Sequence, residues 1–254
     1  MSRQTRPGTI AQPGTSVFQP EWYAQLYPAA PFDCAYVAGF VDIPGGYLKD
    51  GVSLRQMTVS GSGTPVTTAI SAVLGQKAFR FGGGQNIATG HPSSDEFTLI
   101  TAVNVTADQL AGVPAVSKVM FHTETGGTRQ KLLQFSAGGA LVLQIAPTKT
   151  VTVANGLLAG PAVIMATCRK LAADSYRASI YVNDFVTPKA SADLAATVGA
   201  GLPWFIGGDD SPALPWTSDM AAFVIANRDL TKEASDYAAI KAALPLALAW
   251  ATPA

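Results

Sequence analysis

The chain has 254 residues, of which 48% are hydrophobic and 13% charged, and its 17 basic residues balance its 17 acidic ones. This length fits one large β-sandwich domain. A net charge of zero lacks the basic footprint of nucleic-acid or anionic-membrane binding, so neither is expected as a partner. No run of about 20 apolar residues is present that would span a bilayer. So few surface charges favour association with protein partners or with other copies of the chain.

Residues 1–31 form a proline-rich segment that we interpret as an extended arm. Prolines at this spacing favour extended backbone over a helix or a central strand. The arm carries Phe18, Trp22, Tyr23 and Tyr27, and each large apolar side chain left in water forgoes about 1.5–3 kcal/mol. These four residues are our candidates for docking onto a partner, with packing on the chain's own domain as the alternative. No apolar leader opens the arm, which predicts synthesis in the cytoplasm without a signal peptide.

Residues 32–254 are predicted to form one all-β domain. Short runs rich in Val, Ile, Phe and Thr alternate with clusters of Gly, Pro, Asn and Asp, which is typical of an antiparallel sandwich. Tight turns are predicted at residues 136–140 and 181–185, where Gly and Asn tolerate positive φ. The predicted strands cover residues 35–41, 55–59, 77–81, 97–105, 118–123, 131–136, 140–146, 150–153, 162–169, 176–182, 204–207 and 220–226.

One helix is predicted near the end of the chain. Thr231 is its expected cap, and Tyr237, Ile240 and Leu244 fall on one face of it. The proline after Leu244 ends the helix.

The two cysteines, Cys34 and Cys168, lie far apart and in no metal-ligand spacing. In a reducing compartment we expect both to be buried free thiols, and a disulfide is the alternative.

The order of these signals resembles the concanavalin A-like lectin/glucanase superfamily, and within it the LamG-like jelly-roll domain. An apolar strand that leads through Asn227-Arg228-Asp229-Leu230-Thr231 into a short helix carries most of the resemblance. The matching segments are residues 50–59, 77–84, 97–105, 179–184, 205–209 and 220–233, within a span from Gly46 to Leu244. The resemblance implies an antiparallel jelly-roll β-sandwich with one short C-terminal helix. It also suggests a bacteriophage structural protein.

Catalysis is not expected. Retaining glucanases of this fold place two carboxylates about 5 Å apart on one strand. None of the four glutamates, Glu21, Glu96, Glu124 and Glu233, has a carboxylate two residues away along a strand. The only histidines, His91 and His122, stand without a Gly-x-Ser-x-Gly motif, and we expect both to be exposed or hydrogen-bonded. His91 is placed in a polar loop and His122 on a strand. The run Gly82-Gly83-Gly84-Gln85 is interpreted as a tight loop.

A ligand site is predicted in the loop after the Ile-Gly-Gly motif. Trp216 could stack on a sugar ring beside Asp209 and Asp210, and packing in the core is the alternative for Trp216. Trp204 is expected in the core. The two aspartates could also hold calcium, although most such aspartates only cap turns, so no cofactor is expected.

Two functions follow from these observations. The first is a non-catalytic structural or assembly protein, expected to be a phage virion component (capsid decoration, head-fibre or tail-associated protein) that docks through its arm on capsid or tail subunits. The second is a carbohydrate-binding, lectin-like module that uses the loop rim of the sandwich. The fold supports both functions, so fold alone does not choose between them.

Overall fold

A computed structural model describes residues 34–37, 48–49, 56–61, 66–71, 74, 76–154, 157–208 and 216–241. Sixteen strands and a five-residue helix are bounded in this part of the chain, and a second helix, α2, is described over residues 234–241. The elements are β1 (Cys34–Val37), β2 (Leu48–Lys49), β3 (Gln56–Gly61), β4 (Thr67–Ser71), β5 (Gln76–Arg80), β6 (Gln85–Pro92), β7 (Phe97–Val105), α1 (Ala107–Ala111), β8 (Lys118–Thr125), β9 (Thr128–Phe135), β10 (Leu141–Ala146), β11 (Lys149–Val153), β12 (Gly160–Ala172), β13 (Ser175–Val182), β14 (Ala190–Ala195), β15 (Pro203–Gly207) and β16 (Asp219–Ala226).

The strands form two antiparallel sheets. The first sheet has the order β14-β13-β12-β7-β16-β5-β4, with β1 paired to β16. The second sheet has the order β11-β10-β9-β8-β15-β6-β3-β2. The prediction of an all-β antiparallel sandwich is therefore confirmed.

The main core lies between the two sheets, where aromatic rings from opposite sheets meet. Phe97 of the first sheet packs edge-on against Trp204 of the second, with ring centroids 5.3 Å apart. Phe223 of the first sheet and Phe121 of the second are also edge-on, at 6.5 Å. Such pairs stabilise the sandwich beyond the area that they bury. The expectation that Trp204 lies in the core is confirmed.

A second, smaller core covers part of the outer face of the first sheet. Helix α2 and the turn before it place Ile240 and Leu230 on outward-facing residues such as Val163, Met165 and Val224. Strands β7, β12 and β16 are therefore apolar on both faces, which is why they read as continuous hydrophobic runs.

The predicted helix is present, but its cap differs. The Tyr237 N–H donates to the Glu233 carbonyl, so the first helical hydrogen bond begins two residues beyond Thr231. The Thr231 hydroxyl instead donates to Asp229 at 2.7 Å, because that carboxylate organises the preceding turn. Ile240 packs on the sheet, as the helical spacing predicts. Leu244 lies outside the described residues.

The predicted strands all have a counterpart among the described residues, whereas β2, β4, β6, β14 and helix α1 were not predicted. Strand β6 corrects the interpretation of His91 as a loop residue, because the strand holds His91 in a buried position. The strand begins at Gln85, and the three glycines directly before it form the predicted loop.

Close packing explains why the Ile-Gly-Gly motif has a glycine at position 207. Gly207 adopts a φ of +89°, and a Cβ there would lie 2.4 Å from Cε1 of Phe81. Only glycine combines that backbone conformation with so close an approach. In the described part of the chain, no helix has the length and apolar character needed to cross a membrane.

Candidate functional site

A polar groove of about 520 Å³ opens on the outer face of the first sheet, beside helix α2. Strands β12, β13 and β14 form its floor. Tyr181, Tyr237 and Pro188 line it on the side of the helix. The polar side chains that line this groove are Arg169, Arg177, Ser179, Ser191, Asp193 and Asp229, together with the hydroxyls of Thr167 and Thr231.

Strand alternation explains why the groove is polar. Along β12 the even-numbered residues from Ala162 to Cys168 face the main core, so the odd-numbered ones face outward. The outward residues Val163 and Met165 lie in the second core with helix α2, whereas Thr167 and Arg169 lie beyond it in the groove. The chemical character of the outer face thus changes within one strand.

Arg177 and Asp193 form the outer rim of the groove. They are register partners on β13 and β14, and two bonds join them, Nε to Oδ1 at 2.7 Å and Nη2 to Oδ2 at 2.9 Å. This contact lowers the pKa of the Asp193 carboxyl and raises the pKa of the Arg177 guanidinium. Both groups are therefore charged, and their side chains are about half exposed, at 49% and 51%.

Arg169 and Asp229 form the inner wall. The Arg169 Nε donates to Asp229 Oδ2 at 2.7 Å, and the Asp229 side chain is only 2% exposed. The other carboxylate oxygen accepts from the backbone N–H and the hydroxyl of Thr231, at 2.9 and 2.7 Å. Asp229 is thus fixed from two sides, which holds Arg169 at the groove.

A row of hydroxyl groups lies beside the two ion pairs on the floor of the groove. The Ser179 and Ser191 hydroxyls lie 2.8 Å apart across β13 and β14. The Tyr237 hydroxyl donates to the Phe185 carbonyl at 2.7 Å and so holds the β13–β14 connection against helix α2. Tyr181 is buried, and burial raises the pKa of its phenol. The groove therefore presents donors, acceptors and two aromatic rings together.

The carboxylates of the groove suit binding better than proton transfer. A general acid needs a pKa raised towards neutrality. Asp193 has its pKa shifted the other way by its bond to Arg177. Asp229 is engaged by Arg169 and Thr231.

Trp216 does not fit the predicted role of an exposed sugar platform. Its side chain is 0% exposed, and its ring stacks on Phe135 with centroids 6.4 Å apart. A stacking platform needs an open ring face, so the packing alternative describes this residue. Asp209 and Asp210 lie outside the described residues, and their ligand and calcium roles remain predictions.

The two histidines are both buried. His122 lies under Phe205, with parallel rings 5.0 Å apart, and burial lowers its pKa to about 3. No hydrogen-bond partner for its Nδ1 is found among the described residues, so the expectation of an exposed or hydrogen-bonded His122 is wrong at that atom. Within the same residues, no group of three or more His, Cys, Asp or Glu side chains could hold a metal ion.

Cys168 is a buried free thiol, as predicted, and burial raises its pKa to about 12. The side chain of Cys34 is not among those described. The docking candidates Phe18, Trp22, Tyr23 and Tyr27 likewise lie outside the described residues, and their role remains a prediction.

The residues of the groove were not predicted from the sequence. Arg177 and Asp193 are 16 positions apart and meet only because of the β13–β14 register. The one local signal in the sequence is that Ser191 and Asp193 alternate with apolar residues along β14. The exposure of the β14 side chains alternates with the same period of two residues.

Comparison with known proteins supports the sandwich fold. No protein-family model and no curated protein matches the chain. Domain 4 of AbnA, an extracellular GH43 arabinanase from Geobacillus stearothermophilus solved with arabinotriose, superposes with a TM-score of 0.55 at 14% identity. The match covers 84% of this chain and 98% of that one.

Two larger proteins contain a similar fold. The Trypanosoma rangeli sialidase in complex with the inhibitor DANA gives a TM-score of 0.57 at 16% identity, over 86% of this chain and 33% of the sialidase. The receptor-binding domain of botulinum neurotoxin type G gives 0.57 at 13% identity, over 85% of this chain and 51% of that one. Identities this low show a shared fold and nothing finer.

Proposed function

We propose that this chain is a non-catalytic carbohydrate-binding domain whose ligand lies in the groove. The observation that carries the proposal is the set of two Arg–Asp pairs, two serine hydroxyls and two tyrosines that line one concavity. Sugars bind through hydroxyls that both donate and accept hydrogen bonds, and their C–H faces pack on aromatic rings. A volume of about 520 Å³ lies within the range typical of small-ligand sites.

The absence of catalysis is part of the proposal. The carboxylates that line the groove are bonded to arginines, and the lowered pKa of Asp193 opposes a role as general acid. The resemblance of the sequence to LamG-like domains and the arabinotriose complex of one structural neighbour favour the same function by analogy of fold.

The proposal is tested by screening the full-length chain on a glycan array and measuring the strongest hits by calorimetry. Arg177→Ala removes donors at the rim, and hydrogen bonds to charged groups are typically worth about ten- to a hundredfold in affinity. We therefore expect at least a tenfold rise in Kd with an unchanged thermal melt.

Arg80→Ala is the matched control. Arg80 pairs with Asp219 across β5 and β16 on the same sheet, with Nε and Oδ1 3.1 Å apart, and neither residue lines the groove. This variant should bind as the unmodified chain does. Equal Kd values for both variants, or no retained glycan at all, would reject the groove as a carbohydrate site.

A second candidate function is assembly into a bacteriophage virion through residues 1–31, on capsid or tail subunits. It is favoured by the zero net charge and by two strongly exposed apolar side chains, Leu158 and Val186. Light scattering on the full chain and on a variant without residues 1–31 tests this role. A loss of oligomer or partner binding with an intact melt supports it, and an unchanged association state contradicts it.

A further inference from the structure

We infer that the groove selects uncharged saccharides over anionic ones such as uronates, sulfated sugars or sialylated glycans. This inference rests on the proposed function and names the class of ligand for the same site. Arginines in a sugar site would ordinarily suggest an acidic ligand, because a guanidinium fork matches a carboxylate. Here each arginine already has a carboxylate partner supplied by the chain, through Nε and Nη2 in Arg177 and through Nε in Arg169.

At the rim, the position of an anionic ligand is taken by Asp193. The Arg177 guanidinium binds both carboxylate oxygens of Asp193, at 2.7 and 2.9 Å, in the bidentate geometry that an incoming carboxylate would need. The two residues are held opposite each other by the β13–β14 register. An anionic ligand would have to displace Asp193 or lie beside its negative charge.

On the inner wall, the partner of Arg169 is held even more firmly. Asp229 is buried, and Thr231 binds its second oxygen through both the backbone N–H and the hydroxyl. Displacing this carboxylate would leave a buried charge without a counter-ion, which is costly. The charged side chains that line the groove therefore sum to zero, with two arginines against two aspartates.

What remains for a ligand is a set of paired donors and acceptors. The rim pair presents N–H groups of Arg177 beside the half-exposed Asp193 carboxylate, which can still accept hydrogen bonds through further lone pairs. A vicinal diol matches this arrangement, because one hydroxyl can accept from the guanidinium while its neighbour donates to the carboxylate. Ser179 and Ser191 add hydroxyls that act in either sense.

The test uses an array on which each neutral glycan is printed beside its uronate, sulfated or sialylated counterpart. Hits are followed by calorimetry at 20 and 200 mM NaCl. We expect the full-length chain to bind at least one neutral glycan, to bind the anionic counterpart at least tenfold more weakly, and to show little dependence on salt.

Asp193→Asn is the decisive variant, since it keeps the size of the side chain and removes the charge that occupies Arg177. It should raise affinity for the anionic counterparts about tenfold at 20 mM NaCl and lose that gain at 200 mM. Asp219→Asn, which frees Arg80 outside the groove, is the matched control and should bind both members of each pair as the unmodified chain does.

The outcomes separate the two proposals. Equal or stronger binding of anionic glycans by the unmodified chain, or no gain in Asp193→Asn, overturns the selectivity while carbohydrate binding stands. Retention of neither class by any of the variants rejects the proposed function and the selectivity together.

Discussion

The two halves of the outer face of the first sheet show how one strand can serve two purposes. Where helix α2 lies on the sheet, the outward residues of β12 are Val163 and Met165, and they are fully buried. A few residues further along the same strand, Thr167 and Arg169 line an open groove. The closed half contributes stability through burial, and the open half presents the polar side chains at which the ligand is proposed to lie. Substitutions in the closed half should therefore lower stability, and substitutions in the open half should mainly affect ligand binding.

The largest effect is expected in the closed half. Ile240 is 0% exposed and packs in the core between helix α2 and the sheet. Ile240→Ala should lower the free energy of unfolding by about 2–5 kcal/mol, measured by urea denaturation, because it removes buried methylene groups and leaves a cavity. Ser191→Ala, an exposed change in the open half, is the control and should cost much less. Similar costs for the two variants would contradict the division of the face.

The second sheet extends the comparison, because its outward-facing His122 is covered by Phe205 rather than left open. Burial lowers the pKa of His122 from its ordinary value of 6.5 to about 3, with Arg129 adding to the shift. Below pH 6.5 the unfolded chain binds a proton that the folded chain does not. The free energy of unfolding should therefore decrease as the pH is lowered from about 6.5 to about 3. This residue contributes up to about 1.4 kcal/mol per pH unit to that decrease.

The measurement is urea unfolding from pH 7 to pH 5, above the range in which carboxylates titrate. This residue should account for a loss of about 2 kcal/mol at pH 5, and the loss should disappear in His122→Gln. A slope that is the same in the variant would assign the pH dependence to other groups.

Within the open half, the two ion pairs should differ in their effect on stability. Arg169→Ala leaves the buried Asp229 with Thr231 as its only described partner, and an under-satisfied buried group costs about 1–3 kcal/mol. Arg177→Ala leaves Asp193 exposed to water, so we expect no measurable change in the melt. Equal losses of unfolding free energy in the two variants would show that the Arg169–Asp229 pair does not stabilise the fold more than the Arg177–Asp193 pair does.

Much of the fold could be predicted because its central strands carry strong local signals. The apolar run from Phe97 to Val105 predicts β7 with the bounds that it has in the structure. Strand β14 was missed because its sequence, Ala-Ser-Ala-Asp-Leu-Ala, has low β propensity and depends on pairing with β13. Helix α1 was missed although Thr106 and Gln109 form a capping box that is visible in the sequence.

The site could not be predicted in the same way. Trp216 follows a segment rich in Pro and Asp, which favours an exposed loop, but its ring is buried against Phe135 of a strand about 80 positions earlier. The groove depends on the register of three strands and on a helix that covers half of their outer face. Neither the register nor the covered area is encoded in a short stretch of sequence.

The smallest measurable loss of stability is expected at the boundary between the two halves. Tyr237 belongs to both, since its ring packs against the closed core while it also lines the groove. Its hydroxyl donates to the Phe185 carbonyl at 2.7 Å, in the connection that also carries the groove residue Pro188. Tyr237→Phe keeps the ring and deletes this bond together with the longer contact of the same hydroxyl to the Val186 carbonyl, at 3.4 Å. The free energy of unfolding should fall by about 0.5–1.5 kcal/mol, the net value of one hydrogen bond.

The same variant should weaken glycan binding more than this modest loss of stability suggests. With the bond gone, the segment that carries Pro188 is free to move away from helix α2, and a ligand must then order it again on binding. The Kd should rise several-fold, and hydrogen exchange should increase at residues 183–189 while the closed half stays protected. Unchanged exchange at those residues together with a raised Kd would instead assign the Tyr237 hydroxyl a direct contact with the ligand.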